Sequence, residues 1–225
     1  MEIYPGIKVR DLGLYIVKEK TLIIADLHLG YEETLNKQGV MVPRFSFEDL
    51  KKRILNIMED VEVVVINGDL KHEFGKIMST EWRYSKDLLE MFKDYKIIFV
   101  QGNHDRIIKP IIKNMELVDE YKIGDILITH GDQIKDIDSK VIIIGHEHCA
   151  VALKDGVRVE KFKCFLKGKF ERKVLIAMPS CNLLTEGTDV LRESRLSPYL
   201  QQKLDNFEVY IVSDKIYDFG KVKDL

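Results

Sequence analysis

Aspartate, histidine and asparagine recur in this chain at one kind of place, the short loop that follows a run of apolar residues. Leu22–Ala25 leads into Asp26-Leu27-His28, and Val63–Ile66 into Asn67-Gly68-Asp69. Ile97–Val100 leads into Gly102-Asn103-His104-Asp105, Ile126–Thr129 into His130-Gly131-Asp132, and Val141–Ile144 into Gly145-His146-Glu147-His148. Five of the six histidines fall in these loops, and the sixth, His72, lies three residues after Asp69. Asp26-x-His28 or Gly68-Asp69 alone would say little. Gly145-His146-Glu147-His148 says more, because two histidines two apart on an extended segment point the same way. Imidazole with carboxylate and amide oxygen suits Mn²⁺, Fe²⁺, Zn²⁺ or Ni²⁺, and is too rich in nitrogen for a dedicated Ca²⁺ site. Besides His72 and His104 the loops offer at least seven ligand candidates, more than one open site needs. That number suits two metals ~3.5–4 Å apart, the arrangement that clamps a phosphoryl group and activates water.

The elements that must position these residues follow from the apolar runs. Val63, Val64, Val65 and Ile66 are an unbroken β-branched stretch. Such stretches fit strands buried on both faces in sheets covered by helices. In open α/β sheets, ligands bind beyond the carboxyl ends of the strands. Asp69 is therefore the expected centre. Upstream, Leu14–Val17 and Thr21–Ala25 read as a hairpin. Helices are expected over residues 29–38, from Ser46 (as N-cap) to about Met58, from Thr80 to about Phe92, and over 106–114 with Pro110 early in it. From Leu117 the pattern turns to strands: Val118–Ile123, Ile126–Thr129, Val141–Ile144, Ala150–Leu153, Val157–Phe165, Lys173–Ala177, Val209–Val212 and Lys215–Phe219. Lys154-Asp155-Gly156 carries the Asp-Gly hairpin signal. Strand–helix alternation followed by strands predicts an α/β fold with a central pair of sheets and helices outside. Two separate domains are the rival, but ligand types run through both halves and must converge. A single domain over 1–225 is expected.

Composition narrows the class. Of 225 residues, 45% are hydrophobic and 32% charged, which reads as a soluble globular chain. A net charge of −2 gives no global reason for tight nucleic-acid binding, though metals or a local patch could supply positive charge. Cys149, Cys164 and Cys181 show no CxxC spacing and suit free thiols in a reducing cytoplasm. No signal pattern opens the chain, and no apolar run approaches the ~18 residues of a membrane span. Lys161–Lys173 alternates lysines with Phe162, Phe165 and Phe170. This reads as strand with the lysines facing solvent, with a base-stacking phosphate track as the rival.

The ordered set Asp26-x-His28, Gly68-Asp69, Gly102-Asn103-His104-Asp105, His130 and Gly145-His146-x-His148 resembles the calcineurin-like metallophosphoesterase superfamily. The resemblance covers residues 26–148, with every block in the family order. It implies a four-layer α/β/β/α sandwich, two mixed sheets flanked by helices, with a dinuclear centre at the strand ends. By position, Asp26, His28 and His148 would hold the first metal, Asn103, His130 and His146 the second, and Asp69 would bridge them. His104 would serve the leaving group, and Asp105 would orient His104. A metal-bridging hydroxide would attack phosphorus in line with the leaving oxygen, with Mn²⁺ first among the metals named above. Many members carry an acidic residue three positions after the bridging aspartate, where this chain has His72. In the family's double-strand-break repair nucleases a histidine there helps place a nucleic-acid strand. The chain also resembles a subgroup found beside DNA ligase or helicase functions, through Gly68–Gly75, Pro43-Arg44, Met178-Pro179-Ser180 and Asn182. The expected activity is a cytoplasmic phosphodiesterase acting on cyclic nucleotides or nucleic-acid ends, with no membrane partner. A phosphomonoesterase and a non-catalytic scaffold are the alternatives.

Overall fold

The first sheet is built outward from the unbroken apolar runs. In the computed structural model, which describes residues 1–42, 46–113, 115–136 and 138–225, β1 (Glu2–Tyr4), β2 (Ile7–Arg10), β3 (Gly13–Ile16) and β4 (Thr21–Ala25) form an antiparallel meander. From β4 the sheet continues in parallel through β5 (Val63–Asn67), β6 (Lys96–Val100) and β7 (Glu116–Val118). All five residues of β4 are buried, as a strand covered on both faces requires. The crossovers carry α1 (Tyr31–Lys37), α2 (Ser46–Leu55), α3 (Ser79–Met91) and α4 (Lys109–Ile112). Successive right-handed crossovers that advance one strand at a time put their helices on one face. Phe47, Leu50 and Ile54 of α2 and Leu88 and Leu89 of α3 are buried in the core there.

The second sheet is also mixed. It contains β8 (Glu120–Ile123), β9 (Ile126–Thr129), β10 (Val141–Ile144), β11 (Cys149–Asp155), β12 (Arg158–Phe170), β13 (Lys173–Ala177), β14 (Thr188–Asp189), β15 (Glu208–Val212) and β16 (Ile216–Lys221). Its order is β14-β11-β12-β13-β10-β9-β8, with β15 pairing β12 and β16 closing a hairpin on β15. β9, β10 and β13 run parallel. Side chains alternate between two cores. Val141 and Ile143 join Ile128, Phe165 and Ile176 in the core shared with the first sheet. Ile142 and Ile144 face a second cluster, closed by Tyr199, Leu200, Leu204 and Phe207. Each such buried side chain contributes ~1.5–3 kcal/mol. Among the described residues, the four α-helices lie in the chain between β4 and β7, so the outer cover of the second sheet is irregular chain with two 3-10 turns, Pro198–Leu200 and Val222–Asp224.

Several elements differ from the sequence reading. The strand expected at Val118–Ile123 is two strands, β7 in the first sheet and β8 in the second, parted at Asp119. The chain changes sheets at Asp119-Glu120, two poor strand formers between apolar runs. The helix expected over 106–114 is the single turn α4, with Pro110 in its first turn. β1 and β2 precede the expected hairpin. The β11–β12 hairpin pairs Asp155 with Arg158, so its turn is Gly156-Val157, with Gly156 at φ 59°. In β12, Phe165 is buried between the sheets, while Lys161 pairs with Glu193 and Lys167 with Glu208. Pro43 and Arg44 lie outside the described residues. Among those described, no helix is long and apolar enough to cross a membrane.

Candidate metal centre

Register brings the ligand-type loops to one edge. Ala25, Asn67 and Val100 are aligned partners at the ends of β4, β5 and β6. Thr129, Ile144 and Ala177 are aligned at the ends of β9, β10 and β13. Both parallel sets therefore release Asp26, Gly68-Asp69, Gly102-Asn103, His130 and Gly145-His146 at the same level. The backbone there is strained. Asp26 (φ 54°), His28 (42°), Asp69 (50°), His146 (63°) and His148 (52°) all occupy the left-handed region. Non-glycine residues held so gather where a surrounding structure over-determines them, commonly at functional sites. Gly102 shows how tight the packing is. A Cβ there would lie 2.2 Å from Asp69 Oδ1 and 2.4 Å from the Asp69 amide nitrogen.

The side chains form two groups joined at Asp69. In one, His28 Nε2 lies 3.1 Å from His148 Nε2, and His148 Nε2 lies 3.7 Å from Asp26 Oδ1. In the other, His130 Nε2 lies 2.9 Å from Asn103 Oδ1 and 3.1 Å from His146 Nδ1. Asp69 Oδ2 stands between them, 3.6 Å from His28 Nε2 and 3.4 Å from His130 Nε2. Donor atoms each ~2.1 Å from a common ion at tetrahedral or octahedral angles lie ~3.0–3.5 Å apart. The observed spacings suit shared cations better than mutual hydrogen bonds. Asp26 Oδ1, His28 Nδ1 and His130 Nδ1 are buried without a hydrogen-bond partner, and Asp26 is fully buried. An unpaired carboxylate oxygen in that position is costly unless a cation completes it. The donor set and its orphaned lone pairs fit divalent metal.

The electrostatics agree. Burial, then the neighbouring His148, pushes His28 well below its ordinary value. Burial and His130 likewise lower His146. Both imidazoles are thus neutral, as ligands must be. Burial would raise Asp69, but the hydrogen bond and charge of His130, with His28 and His104 beyond, hold it below the usual carboxylate range. Burial opposes a proton on His130, yet the Asp69 hydrogen bond and the carboxylates of Asp26 and Asp69 outweigh it and raise His130 to about 9.

His104 and His72 line the mouth. His104 Nε2 lies 3.9 Å from Asp69 Oδ2, and its amide donates to Asp69 Oδ1 at 2.9 Å. His104 Nδ1 donates to the carbonyl of His72. This corrects the expectation that Asp105 orients His104. Asp105 Oδ2 instead accepts the amides of Leu70 and Gly102, both at 3.3 Å, and so ties together the two loops behind Asp69. Burial and the charge of Asp69 raise Asp105 to about 7. His28, His72 and His104 also converge as a third group of imidazoles. Burial, then His104, lowers His72 to about 4, so it is neutral at pH 7. Phe74 lies over His104, its ring tilted by 33° with ring centroids 3.6 Å apart, and remains 55% exposed. A polar groove of about 210 Å³, lined by Asn103, Arg106 and Lys135 among others, opens beside the second group.

Two supporting residues escaped the sequence reading. Glu147, between His146 and His148, is fully buried and accepts the amides of Leu196 and Ser197, each at 2.8 Å. Glu81 is also fully buried and accepts three amides of the loop after Asp69. A charged side chain at an unexposed position of α3 was the only signal, and it is visible only once the helix is placed.

Residues 19–142 match the model of the calcineurin-like phosphoesterase family. Among solved structures, nuclease MPE of Pseudomonas putida superposes with a TM-score of 0.69 at 19% identity, covering 94% of this chain and 93% of that one. Vacuolar protein sorting 29 of Cryptosporidium parvum gives a TM-score of 0.39 at 16% identity, covering 89% of this chain and 97% of that one. A curated protein of Methanocaldococcus jannaschii, described as a probable phosphoenolpyruvate synthase, is 26% identical over 191 residues, or 69% of this chain. The matched region is 16% of that protein's length.

Proposed function

We infer, from the premise that the chain belongs to the calcineurin-like phosphoesterase family and is a metal-dependent phosphoester hydrolase, that its substrate is a phosphodiester of nucleotide character, either a nucleic-acid end or a cyclic nucleotide. The reading takes residues 1–225 as one domain. Asp26, His28 and His148 would hold one divalent ion, Asn103, His130 and His146 would hold a second, and Asp69 would serve both, with Mn²⁺ the first metal to test. The observation that carries it is the position of Asp69 Oδ2, 3.6 Å and 3.4 Å from one imidazole nitrogen of each group. His72 at the mouth, the groove beside Asn103 and the fold shared with a nuclease support a substrate that extends past phosphorus on both sides. Three free, buried cysteines support a cytoplasmic setting.

Bound there, divalent ions would polarise the phosphoryl oxygens and acidify a water at neutral pH. The remaining work falls to the chain. Asp26, His28 and Asp69 form a buried floor that excludes bulk water and strengthens charge interactions at the mouth. The His72 carbonyl can only accept, so Nδ1 of His104 keeps its hydrogen and Nε2 faces the substrate. Acting as the imidazolium, with a second proton on Nε2, His104 would pass that proton to the leaving oxygen and be left as the neutral Nδ1–H form. A His104→Ala enzyme with intact metal content and full turnover would refute that role.

The test compares bis(p-nitrophenyl) phosphate with p-nitrophenyl phosphate, using Mn²⁺-loaded protein, chelated protein and Asp69→Asn. Metal-dependent diester cleavage that disappears in Asp69→Asn is the expected result. Monoester cleavage alone would overturn the diester assignment. Two bound equivalents with no turnover on any phosphoester would favour a non-catalytic scaffold.

A further inference from the structure

The loop that carries Asp26 and His28 leaves the first sheet, but half of its backbone is held from the second. Just past β13, the Cys181 amide donates to the Ala25 carbonyl at 2.9 Å. Ser180 Oγ donates to the Asp26 carbonyl at 2.6 Å. Asn182 Nδ2 donates to the carbonyls of Leu27 at 2.9 Å and His28 at 3.1 Å. Four consecutive carbonyls are thus taken by three consecutive residues. The loop's amides face the other way, with Asp26 donating to Gly68 at 3.2 Å and His28 to Asp69 at 2.8 Å. Between these two sets of bonds, Asp26 and His28 hold their left-handed conformations.

The bracket is itself braced. Ser180 Oγ accepts the Asn182 amide at 3.0 Å, and Asn182 Oδ1 accepts the Leu184 amide at 2.8 Å. The ammonium of Lys163 on β12 donates to the Ser180 carbonyl at 2.7 Å and to the Asn182 carbonyl. Ser180 and Asn182 are both buried, so water does not replace their bonds without opening the interface. The Asp26 carboxylate touches the other group, accepting the His146 amide at 2.9 Å and lying 3.6 Å from His130 Nδ1, but among the described residues no bond made by Ser180, Asn182 or Lys163 reaches Asn103, His130 or His146. Backbone placement of the Asp26–His28 pair therefore depends on a set of contacts that the other group does not share.

We propose that Ser180 and Asn182 are positioning residues for one half of the centre, acting directly on the Asp26–His28–His148 site and on the Asn103–His130–His146 site only through Asp26. The inference rests on the two-ion reading above. Side chains that orient ligands without touching the metal commonly change affinity by roughly 10–100-fold when removed.

The experiment is Mn²⁺ titration of the full chain by calorimetry, paired with electron paramagnetic resonance, which separates a spin-coupled pair of ions from an isolated one. The variants are Ser180→Ala, Asn182→Asp and Ser180→Thr. Asn182→Asp keeps the volume and the acceptor for Leu184 but loses the donor, and Ser180→Ala removes one hydroxyl and keeps the variant set informative should the aspartate variant misfold. Wild type is expected to bind two equivalents as a coupled pair. Ser180→Ala and Asn182→Asp are expected to keep one equivalent at wild-type affinity, weaken the other roughly 10–100-fold, and show an isolated ion at intermediate Mn²⁺. Ser180→Thr should restore the coupled pair. Equal weakening of both equivalents in step with lost stability would overturn the proposal, as would two unchanged equivalents. A wild-type chain that binds no Mn²⁺ would overturn the metal-centre reading as well.

Discussion

Glu81 offers a direct test of how the mouth of the site is held. Its carboxylate accepts the His72 amide at 3.0 Å, the Glu73 amide at 2.6 Å and the Met78 amide at 2.7 Å. A hydrogen bond to a charged group contributes ~1.5–3 kcal/mol net. Three such bonds would sum to ~5–9 kcal/mol, but amides freed in a relaxing loop regain water, so Glu81→Ala is expected to cost ~3–5 kcal/mol. Glu81→Gln is the sharper variant. Its Oε1 can still serve His72 and Glu73, but its amide group then meets the Met78 amide, donor against donor. The expected cost is ~2 kcal/mol. Urea denaturation at unchanged m-value measures it. Hydrogen exchange at the amides of His72, Glu73 and Met78 localises it, and those three should lose protection before the strands do. Turnover should fall with metal content unchanged, because the loop delivers the carbonyl that orients His104. A Glu81→Gln protein within about 0.5 kcal/mol of wild type, with those amides still protected, would refute the reasoning.

Other perturbations follow from particular distances and charges. Gly102→Ala would press a methyl against Asp69 at 2.2 Å from Oδ1, so we expect a loss of ~1–3 kcal/mol and of bound metal; wild-type stability and metal content would contradict it. Burial lowers Lys163 from 10.5 to about 8, so between those values the unfolded chain holds the extra proton and folding stability rises with pH. Up to about 3 kcal/mol should be gained across that window relative to Lys163→Met, and a flat difference between the two proteins would count against it. His130 carries a proton up to about 9 in the metal-free centre, so metal uptake at pH 7–9 should release one proton at that site, with apparent affinity climbing ~tenfold per pH unit. Calorimetry in buffers of different ionisation enthalpy measures the release, and uptake without it would exclude the His130–Asp69 ion pair.

What was legible in the sequence was the chemistry at strand ends. A ligand must be a particular residue type, and a doubly covered strand must be an apolar run, so the junction of the two leaves a local mark. Asp26, His28, Asp69, Asn103, His130, His146 and His148 could be placed at one edge for that reason, and the structure brings them together there. The orientation of His104 was not legible, because its partner is a backbone carbonyl, which every residue possesses. The change of sheet at Asp119 left only a weak mark, the poor strand formers Asp119 and Glu120, which an exposed stretch of one continuous strand also tolerates. Glu147, Ser180 and Asn182 act on backbone groups 49 to 155 residues away, and neither periodicity nor spacing encodes a contact of that range.

The second sheet has a part in the site beyond supplying His130, His146 and His148. Five left-handed residues, at ~1–2 kcal/mol each for an ordinary side chain, would cost ~5–10 kcal/mol. Aspartate and histidine tolerate that region better than most, which brings the sum toward its lower end. Even so it is comparable with the ~5–15 kcal/mol by which a whole domain is stable. No regular ladder holds these residues, since each lies just outside a strand. The offset comes from opposed sets of hydrogen bonds. Amides of the Asp26 loop bond the Asp69 loop, and its carbonyls bond Ser180, Cys181 and Asn182. The loop of His146 has its own opposed set, with the His146 amide on Asp26 Oδ2 at 2.9 Å and the Glu147 carboxylate on the 196–197 amides. Each sheet thus fixes the strained loop of the other, and neither half would hold its ligand geometry if the sheets were separated.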